Sequence, residues 1–301
     1  MKLKKYISFS ESIKHIKQPD GISCGPTCLK MISDLFNISV TIEELKIVCG
    51  TDTLTGTTDI KMIKGLDYLN LDWEQFPLKD KKKAFDRLEL AMSEGNVILF
   101  RTLIHGVKHW IICDPTKDKF YILDPWLGEY ELESDKLDQI WGARDYDGFI
   151  IKGIKPLEGK PAIEPIEKED IEKVKNMAAL VFTNVMTYRG NMSYLSGADW
   201  DKSVKLVYNG EIVGCYLIKI EDISRKEPGG VEGFALAIKP GYRKYGWGEM
   251  LKNWFENWAK ESGYKYVWGL HLSGLKNKEF WLKRRELYSD NGGSFKTIKR
   301  F

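Results

Sequence analysis

The chain has 301 residues, 43% of them hydrophobic and 12% aromatic, which is enough apolar surface to bury two cores and excludes a disordered or fibrous protein. Its formal charge of +3 arises from 46 basic and 43 acidic residues, so no global excess points to nucleic acid or to an acidic membrane surface. No run of about 18 apolar residues occurs, and the charged start Met1-Lys2-Leu3-Lys4-Lys5-Tyr6 is no signal peptide, so the expectation is a soluble, cytoplasmic protein.

The small-residue turn Gln18-Pro19-Asp20-Gly21-Ile22-Ser23 leads directly into the first amphipathic run, Cys24 through Leu29, Met31, Ile32, Leu35 and Phe36. Its apolar spacing predicts a helix, with Pro26 suited to the first turn. The Cys24 thiol therefore falls at a helix N-terminus, where unpaired backbone N–H groups and the helix dipole favour a thiolate. A second helix is expected from Thr41 to Val48, with Glu43 and Glu44 at its positive end. A Gly/Thr-rich loop, Gly50 to Thr58, follows, and then a third helix, Asp59 to Leu69. After the charged run Lys79 to Lys83, read as solvated surface, a helix extends to about Met92.

From Asn96 the period becomes two. Val97–Arg101, Lys108–Asp114 and Lys119–Pro125 read as strands, the last two joined through Asp114-Pro115-Thr116-Lys117-Asp118, and Gly148–Ile151 as a final strand. Helices followed by an antiparallel sheet make an α+β domain. Three prolines and two glycines between Gly153 and Pro165 read as a linker. The expected division is a first domain at 1–155, a linker at 156–165 and a second domain at 166–301.

A cysteine hydrolase needs a base, a group that orients the base, and donors for an oxyanion. His109 starts one strand and Asp124 ends the next, so adjacent antiparallel strands bring them together if both face one side. Gln18 can turn its amide toward the oxyanion beside the backbone N–H of Cys24. Asp114, which also precedes a proline, is the alternative third member, and His105 the alternative base. Cys28 lies one helical turn beyond Cys24 and reads as a buried small hydrophobe. The cysteines at 24, 28, 49, 113 and 215 are odd in number and scattered, so they form no disulfide framework, and no second Cys or His pair near Cys24 and Cys28 suggests a metal site.

Gln18 with Cys24-Gly25-Pro26 and Leu29, His109 followed by Trp110, and Asp124-Pro125 together resemble the bacteriocin-processing, double-glycine-leader peptidases of the papain-like clan. The resemblance covers roughly residues 10 to 151. It implies Cys24 as nucleophile, His109 as general base and acid, Asp124 as its orienting residue, Gln18 in the oxyanion hole, and a peptide or protein substrate cut after small residues. Two Gly-Gly pairs, Gly229-Gly230 and Gly292-Gly293, occur in the chain itself, and self-cleavage after Gly293 stands against the simpler reading of both as turns.

In the second half, a helix entry from Ile166 precedes two strands, Val204–Tyr208 and Ile212–Ile218, separated by Asn209-Gly210-Glu211, a hairpin signal. The strand Val231–Ile238 leads through Gly241-Tyr242-Arg243-Lys244-Tyr245-Gly246-Trp247-Gly248 into an amphipathic helix containing Met250, Leu251, Trp254, Phe255 and Trp258, followed by a strand at Tyr264–Leu272. A strand, a basic glycine turn and a helix make a phosphate-binding device.

This order resembles the GNAT-type N-acetyltransferases over roughly residues 164 to 301. The resemblance implies an α/β domain using acetyl-CoA, with Ala237, Ile238, Arg243, Lys244, Tyr245, Gly246, Trp247 and Gly248 at the cofactor and the preceding strand splayed to admit pantetheine. Glu232 is a candidate base. Where the family often carries a tyrosine as acid, this chain has Trp281, whose indole N–H supplies no useful proton; Tyr288 is the candidate substitute. His271 reads as a strand-packing residue. The whole is expected to be a peptidase fused to an acetyltransferase, with the alternative of a binding or assembly protein that keeps both folds without turnover. No metal is implied.

Overall fold

Alternation of side chains across a strand decides how the first half of the chain folds. Val97, Leu99, Trp110, Ile112, Phe149 and Ile151 point to one side of a sheet, while Ile98, Phe100, Ile111, Cys113 and Ile150 point to the other, and all are buried. The computed structural model describes residues 13–76, 79–115, 120–183, 187–220, 229–272, 278–282, 285–290 and 294–301. The chain divides into two units, Met1–Leu157 and Glu158–Phe301, and each has the helix and strand content of an α+β fold.

In the first unit, strands β1 (Leu71–Gln75), β2 (Val97–Ile104), β3 (Val107–Asp114), β4 (Phe120–Asp124), β5 (Gly128–Leu132) and β6 (Gly148–Ile154) form an antiparallel sheet in the order β1-β6-β2-β3-β4-β5. Helices α1 (Cys24–Leu35), α2 (Ile42–Cys49) and α3 (Asp59–Tyr68) supply Leu29, Ile32, Leu45 and Leu66 to the core on one face. Helices α4 (Lys81–Ser93) and α5 (Ser134–Gly142) supply Leu88 and Trp141 to the other. Both faces being covered, the central strands read as near-continuous apolar runs. Helix α2 is closed at both ends: the Thr41 side chain accepts from the Glu44 N–H at 3.0 Å, and Gly50 at φ +63° takes the left-handed cap. The β2–β3 turn is His105-Gly106 with φ +48° and +79°, which places His105 at an exposed hairpin tip.

The second unit contains β7 (Ala162–Pro165), α6 (Ile171–Val181), α7 (Tyr188–Leu195), β8 (Asp199–Tyr208), β9 (Glu211–Lys219), β10 (Gly230–Ile238), α8 (Trp247–Glu261), β11 (Tyr266–Leu272), α9 (Lys278–Leu282), β12 (Glu286–Asp290) and β13 (Ser294–Arg300). The sheet order is β12-β13-β11-β10-β9-β8-β7. β10 and β11 run parallel and the other neighbours antiparallel. The β8–β9 hairpin turns on Asn209 and Gly210, at φ +50° and +78°.

One segment expected in the linker is strand instead. Residues 162–165 pair with Val204–Val207 as the edge strand β7. The prolines that suggested a linker are compatible with this place, because an edge strand tolerates residues that cannot donate to a ladder. Among the described residues no helix is long and apolar enough to cross a membrane, and the five cysteines are all free.

Candidate active site

The structure brings Cys24, His109 and Asp124 together. Cys24 is the first residue of α1, preceded by Ser23 in the cap position, whose side chain makes no cap hydrogen bond, so none of the first-turn N–H groups is taken by the cap. Register then places the other two. Cys113 stands opposite Ile122, so Asp124 falls opposite Ile111 and diagonal to His109 on the same face. His109 Nε2 lies 2.7 Å from Asp124 Oδ1. The Cys24 thiol acts on the same ring, as a neighbour that favours its protonated form. Since Nε2 serves Asp124, Nδ1 is the nitrogen left for the thiol.

Burial works against a charged His109, but its hydrogen bond to Asp124, the Cys24 thiol and the charges of both outweigh it and raise its pKa from 6.5 to about 9. Asp124 is fully buried, which by itself favours the neutral acid, yet the bond to His109 and the Leu127 and Trp126 N–H groups hold it below the usual carboxylate range. Those backbone groups donate to Oδ1 at 2.7 Å from Trp126 and 3.0 Å from Leu127, and the Tyr130 hydroxyl donates to Oδ2 at 3.2 Å. The Trp126 ring stands edge-on to His109 at 6.2 Å between centroids.

Gln18 is tied to this cluster through its backbone, its N–H donating to the Pro125 carbonyl at 2.8 Å. Its Nε2 donates to the Asp20 carbonyl at 2.5 Å. Upstream, His15 Nε2 donates to the Asp124 carbonyl at 2.8 Å, and the Ile13 N–H donates to Asp114 Oδ2 at 3.3 Å. Asp114, the alternative third member, thus anchors the N-terminal arm. Cys28 donates to the Trp110 carbonyl at 3.4 Å, and complete burial pushes its thiol pKa well up.

Gly25 is required by a close approach: a Cβ there would lie 2.7 Å from Thr57 Cβ and Oγ1. Thr57 belongs to the Gly50–Thr58 loop, which is held down by the Trp110 Nε1 donation to the Thr57 carbonyl at 2.7 Å. The backbone donors at Trp126 and Leu127, Tyr130, His15 and the Thr57 contact are absent from the sequence reading. An Asp-Pro-Trp run gives no sign that two following N–H groups turn back onto the carboxylate.

In the second unit the candidate cofactor residues lie at one end of β10. Its pairing with β11 spans Gly230–Glu232 against Tyr266–Trp268, while β10 continues to Ile238 and β11 to Leu272. The two strands are therefore paired only at their starts. Glu232, buried, sits at the last paired position. A bulge follows between Gly233 and Ala235 against β9. Beyond Ala237 and Ile238, Arg243 Nε donates to the Ile238 carbonyl at 3.0 Å, folding the turn on itself. Lys244 and Gly246 have φ of +71° and +80°, and α8 begins at Trp247 with no side chain capping its first turn. Tyr245 is about half-exposed, Trp247 is buried against Tyr208 and Tyr242, and Gly248 has room for a Cβ, whose nearest neighbour would be Leu236 at 3.7 Å.

Trp281 packs in α9 with the Arg285 guanidinium 5.1 Å from its ring and Phe280 edge-on at 5.0 Å. The backbone of Tyr288 is in β12, but its side chain, that of His271, and the Gly292-Gly293 pair lie outside the described residues. Gly229 precedes β10 and Gly230 opens it.

Residues 12–144 match the family model of the Peptidase C39 family, and residues 188–285 that of the Acetyltransferase (GNAT) family. The lactococcin-G-processing and transport ATP-binding protein of Lactococcus lactis is 24% identical over 181 residues, covering 58% of this chain and 24% of its own length. The chain therefore spans about a quarter of that curated relative. Among solved structures, a double glycine motif protease from an AMS/PCAT transporter in complex with the leader peptide is 19% identical, with a TM-score of 0.38, over 48% of this chain and 92% of that one. The PaiA N-acetyltransferase from Thermoplasma acidophilum in complex with coenzyme A is 16% identical, with a TM-score of 0.39, over 48% of this chain and 100% of that one.

Proposed function

Taking as premise a chain that carries a Peptidase C39 domain followed by a GNAT acetyltransferase domain, we propose that the first domain is a cysteine peptidase of peptide or protein substrates. The second transfers an acetyl group from acetyl-CoA to an amine. One observation carries the first part: His109 Nε2 meets Asp124 Oδ1 at 2.7 Å, and Asp124 and Cys24 together raise its pKa to about 9.

Cys24 attacks the scissile carbonyl as the thiolate, forming a tetrahedral oxyanion that accepts from the Gln18 amide and the Cys24 backbone N–H. The His109 imidazolium gives its proton to the departing amine as the C–N bond breaks, leaving a thioester. His109, now neutral, takes a proton from water as that water attacks the thioester, and keeps it as the acid product and the Cys24 thiolate separate, which restores the starting ion pair. Asp124 keeps the ring oriented and stabilises its charge. A substrate cut after small residues fits the family resemblance.

The product of that cleavage carries a new α-amine, which is the chemical class a GNAT domain acylates. The basic turn Arg243–Gly248 and the uncapped start of α8 would hold the pyrophosphate of acetyl-CoA, Ala237 and Ile238 would line its approach, and Glu232 would take the proton of the amine. Tyr288 is the candidate acid for the departing thiolate.

Trp281 favours a second reading for this domain alone, binding or assembly without turnover, because the indole there is packed by cations and Phe280. Iodoacetamide labelling near neutral pH tests the peptidase reading: Cys24 should react faster than Cys28, and His109→Ala should remove that advantage. Equal rates would sink it. Acetyl-CoA titration by calorimetry tests the second domain, since no binding would leave only the scaffold reading.

A further inference from the structure

The side-chain amide of Gln18 is held in an orientation that does not suit its own oxygen. Oε1 is buried with no hydrogen-bond partner among the described residues, a state that normally relaxes by rotation of the amide. The Asp20 carbonyl prevents this by accepting from Nε2 at 2.5 Å. Asp20 is fixed in turn on three sides: Oδ1 accepts from the Ile22 N–H at 3.0 Å and the Ser23 hydroxyl at 2.6 Å, and Oδ2 accepts from Lys46 Nζ, on α2, at 2.8 Å. Burial disfavours its charge, but Lys46, Ser23 and the Ile22 N–H prevail and hold the carboxyl at about 2, so it is ionised at any working pH.

We infer that Asp20 is a positioning residue for the oxyanion hole, joining the Gln18 amide at one end of the turn to Ser23, and so to the Cys24 N–H, at the other. An amide nitrogen carries two N–H groups. The Asp20 carbonyl takes one and leaves the other free to donate. Glutamine has several torsions to freeze, and freezing them in the ground state removes that cost from the reaction. The α2 ammonium serves as a post outside the turn. This role rests on the reading that Cys24 is acylated through a tetrahedral oxyanion.

Two reagents acting on the full-length chain separate this role from a general structural one. Iodoacetamide alkylates a thiolate by displacing iodide from a saturated carbon, and no oxyanion forms. p-Nitrophenyl acetate acylates it through a tetrahedral oxyanion, expels p-nitrophenolate and leaves a thioester on sulfur. The mass of the Cys24-containing peptide reports both rates, and thermal melting shows that each variant is folded. Gln18→Ala should slow acylation about 10²-fold more than alkylation, and Asp20→Ala, which loosens the amide without removing it, about tenfold more. Asp20→Asn keeps an oxygen for Ile22 and Ser23 and should recover most of the acylation.

If Asp20→Ala does not fold, Lys46→Ala removes only the outer post and should give a selective loss of about threefold. The inference is overturned if Asp20→Ala, or Lys46→Ala in its place, slows both reactions equally or slows neither, or if Asp20→Asn does not recover acylation. Failure of the underlying peptidase reading registers separately, as wild-type alkylation of Cys24 that His109→Ala leaves untouched.

Discussion

His109 Nε2 and Asp124 Oδ1 are 2.7 Å apart in a buried setting, and the pair sets how the first domain responds to pH. The folded pKa of His109, about 9, lies above its ordinary 6.5. The imidazolium therefore contributes stability in full below pH 6.5 and loses it as pH rises through 9. The contribution is of order 1–3 kcal/mol. We expect the melting temperature of the wild type to fall between these limits in excess of the fall in His109→Gln. Parallel curves for the two proteins would contradict this. Asp124, held below its usual range, acts at the other end: its contribution is present above the ordinary carboxylate pKa and is lost as pH falls through the lowered value.

Three donors converge on one oxygen of Asp124, from His109, Trp126 and Leu127. An asparagine would keep its carbonyl there, because turning its NH2 group inward would oppose all three. Asp124→Asn should thus preserve the ring orientation and remove only the charge, lowering the alkaline edge of peptidase activity below 9. Asp124→Ala should cost roughly 10²-fold or more in rate. Rate–pH profiles of both variants decide the point, and an Asn variant as inactive as the Ala variant would count against it.

Gly25→Ala is expected to fail on packing rather than on backbone freedom. The added methyl would lie within 2.7–2.9 Å of Thr57 atoms, and Thr57 is buried, β-branched and tied by its hydroxyl to Thr51 at 2.8 Å. Overpacking of this kind costs about 1–3 kcal/mol. Urea denaturation measures it directly, and the double variant with Thr57→Ser, which removes the crowding Cγ2 methyl, should recover part of the loss.

At the turn of the second domain the limit is conformational. Gly246 has φ +80° with no atom near an added Cβ, so Gly246→Ala costs about 1 kcal/mol of backbone strain. If the turn holds a pyrophosphate, the dissociation constant for acetyl-CoA should rise by roughly fivefold or more, as about 1 kcal/mol predicts. Calorimetry on both proteins tests this, and unchanged affinity would place the cofactor elsewhere.

Glu256 pairs with Arg285 Nε and Lys299 Nζ, each at 2.8 Å, and the Glu256 and Arg285 side chains are almost wholly buried. Arg285→Ala leaves the buried Glu256 carboxylate with Lys299 alone, so it should cost less than the roughly 3–5 kcal/mol of a buried charge left with no partner. Replacing both Arg285 and Glu256 by Leu and Met should cost less than the sum of the single changes. A double-mutant cycle in denaturant reads the difference.

The fold class was legible in sequence because the central strands alternate cleanly between two covered faces, and because Thr41 and Gly50 mark a helix at both ends. Elements at the margins were not. β1 has one buried residue, and β5 is an edge strand whose side chains never become buried, so neither carries an apolar period. β7 was hidden by Pro165 and by Pro161 just before it. For the candidate site, the chain order of Gln18, Cys24, His109 and Asp124 was legible together with the possibility of a shared face. The Asp20 turn and the N–H groups closing on Asp124 were not, since they depend on loop geometry that residue types alone do not specify. Asp114 illustrates the ambiguity: it also precedes a proline at a strand end, and only the structure shows it bonded to Ile13.

The stitching of residues 13 to 18 onto Asp114, Asp124 and Pro125 bears on when the Cys24 surroundings are completed. Two of these bonds join residues 101 and 109 positions apart, so they form only after a long loop has closed, at an entropic cost that local helices do not bear. α1 can form early in synthesis, but without His109 and Asp124 its cysteine has no base beside it and only the helix start to favour its thiolate. If His109 and Asp124 activate this thiol, nascent chains stalled before His109 should show Cys24 reacting with iodoacetamide more slowly than in the complete folded chain.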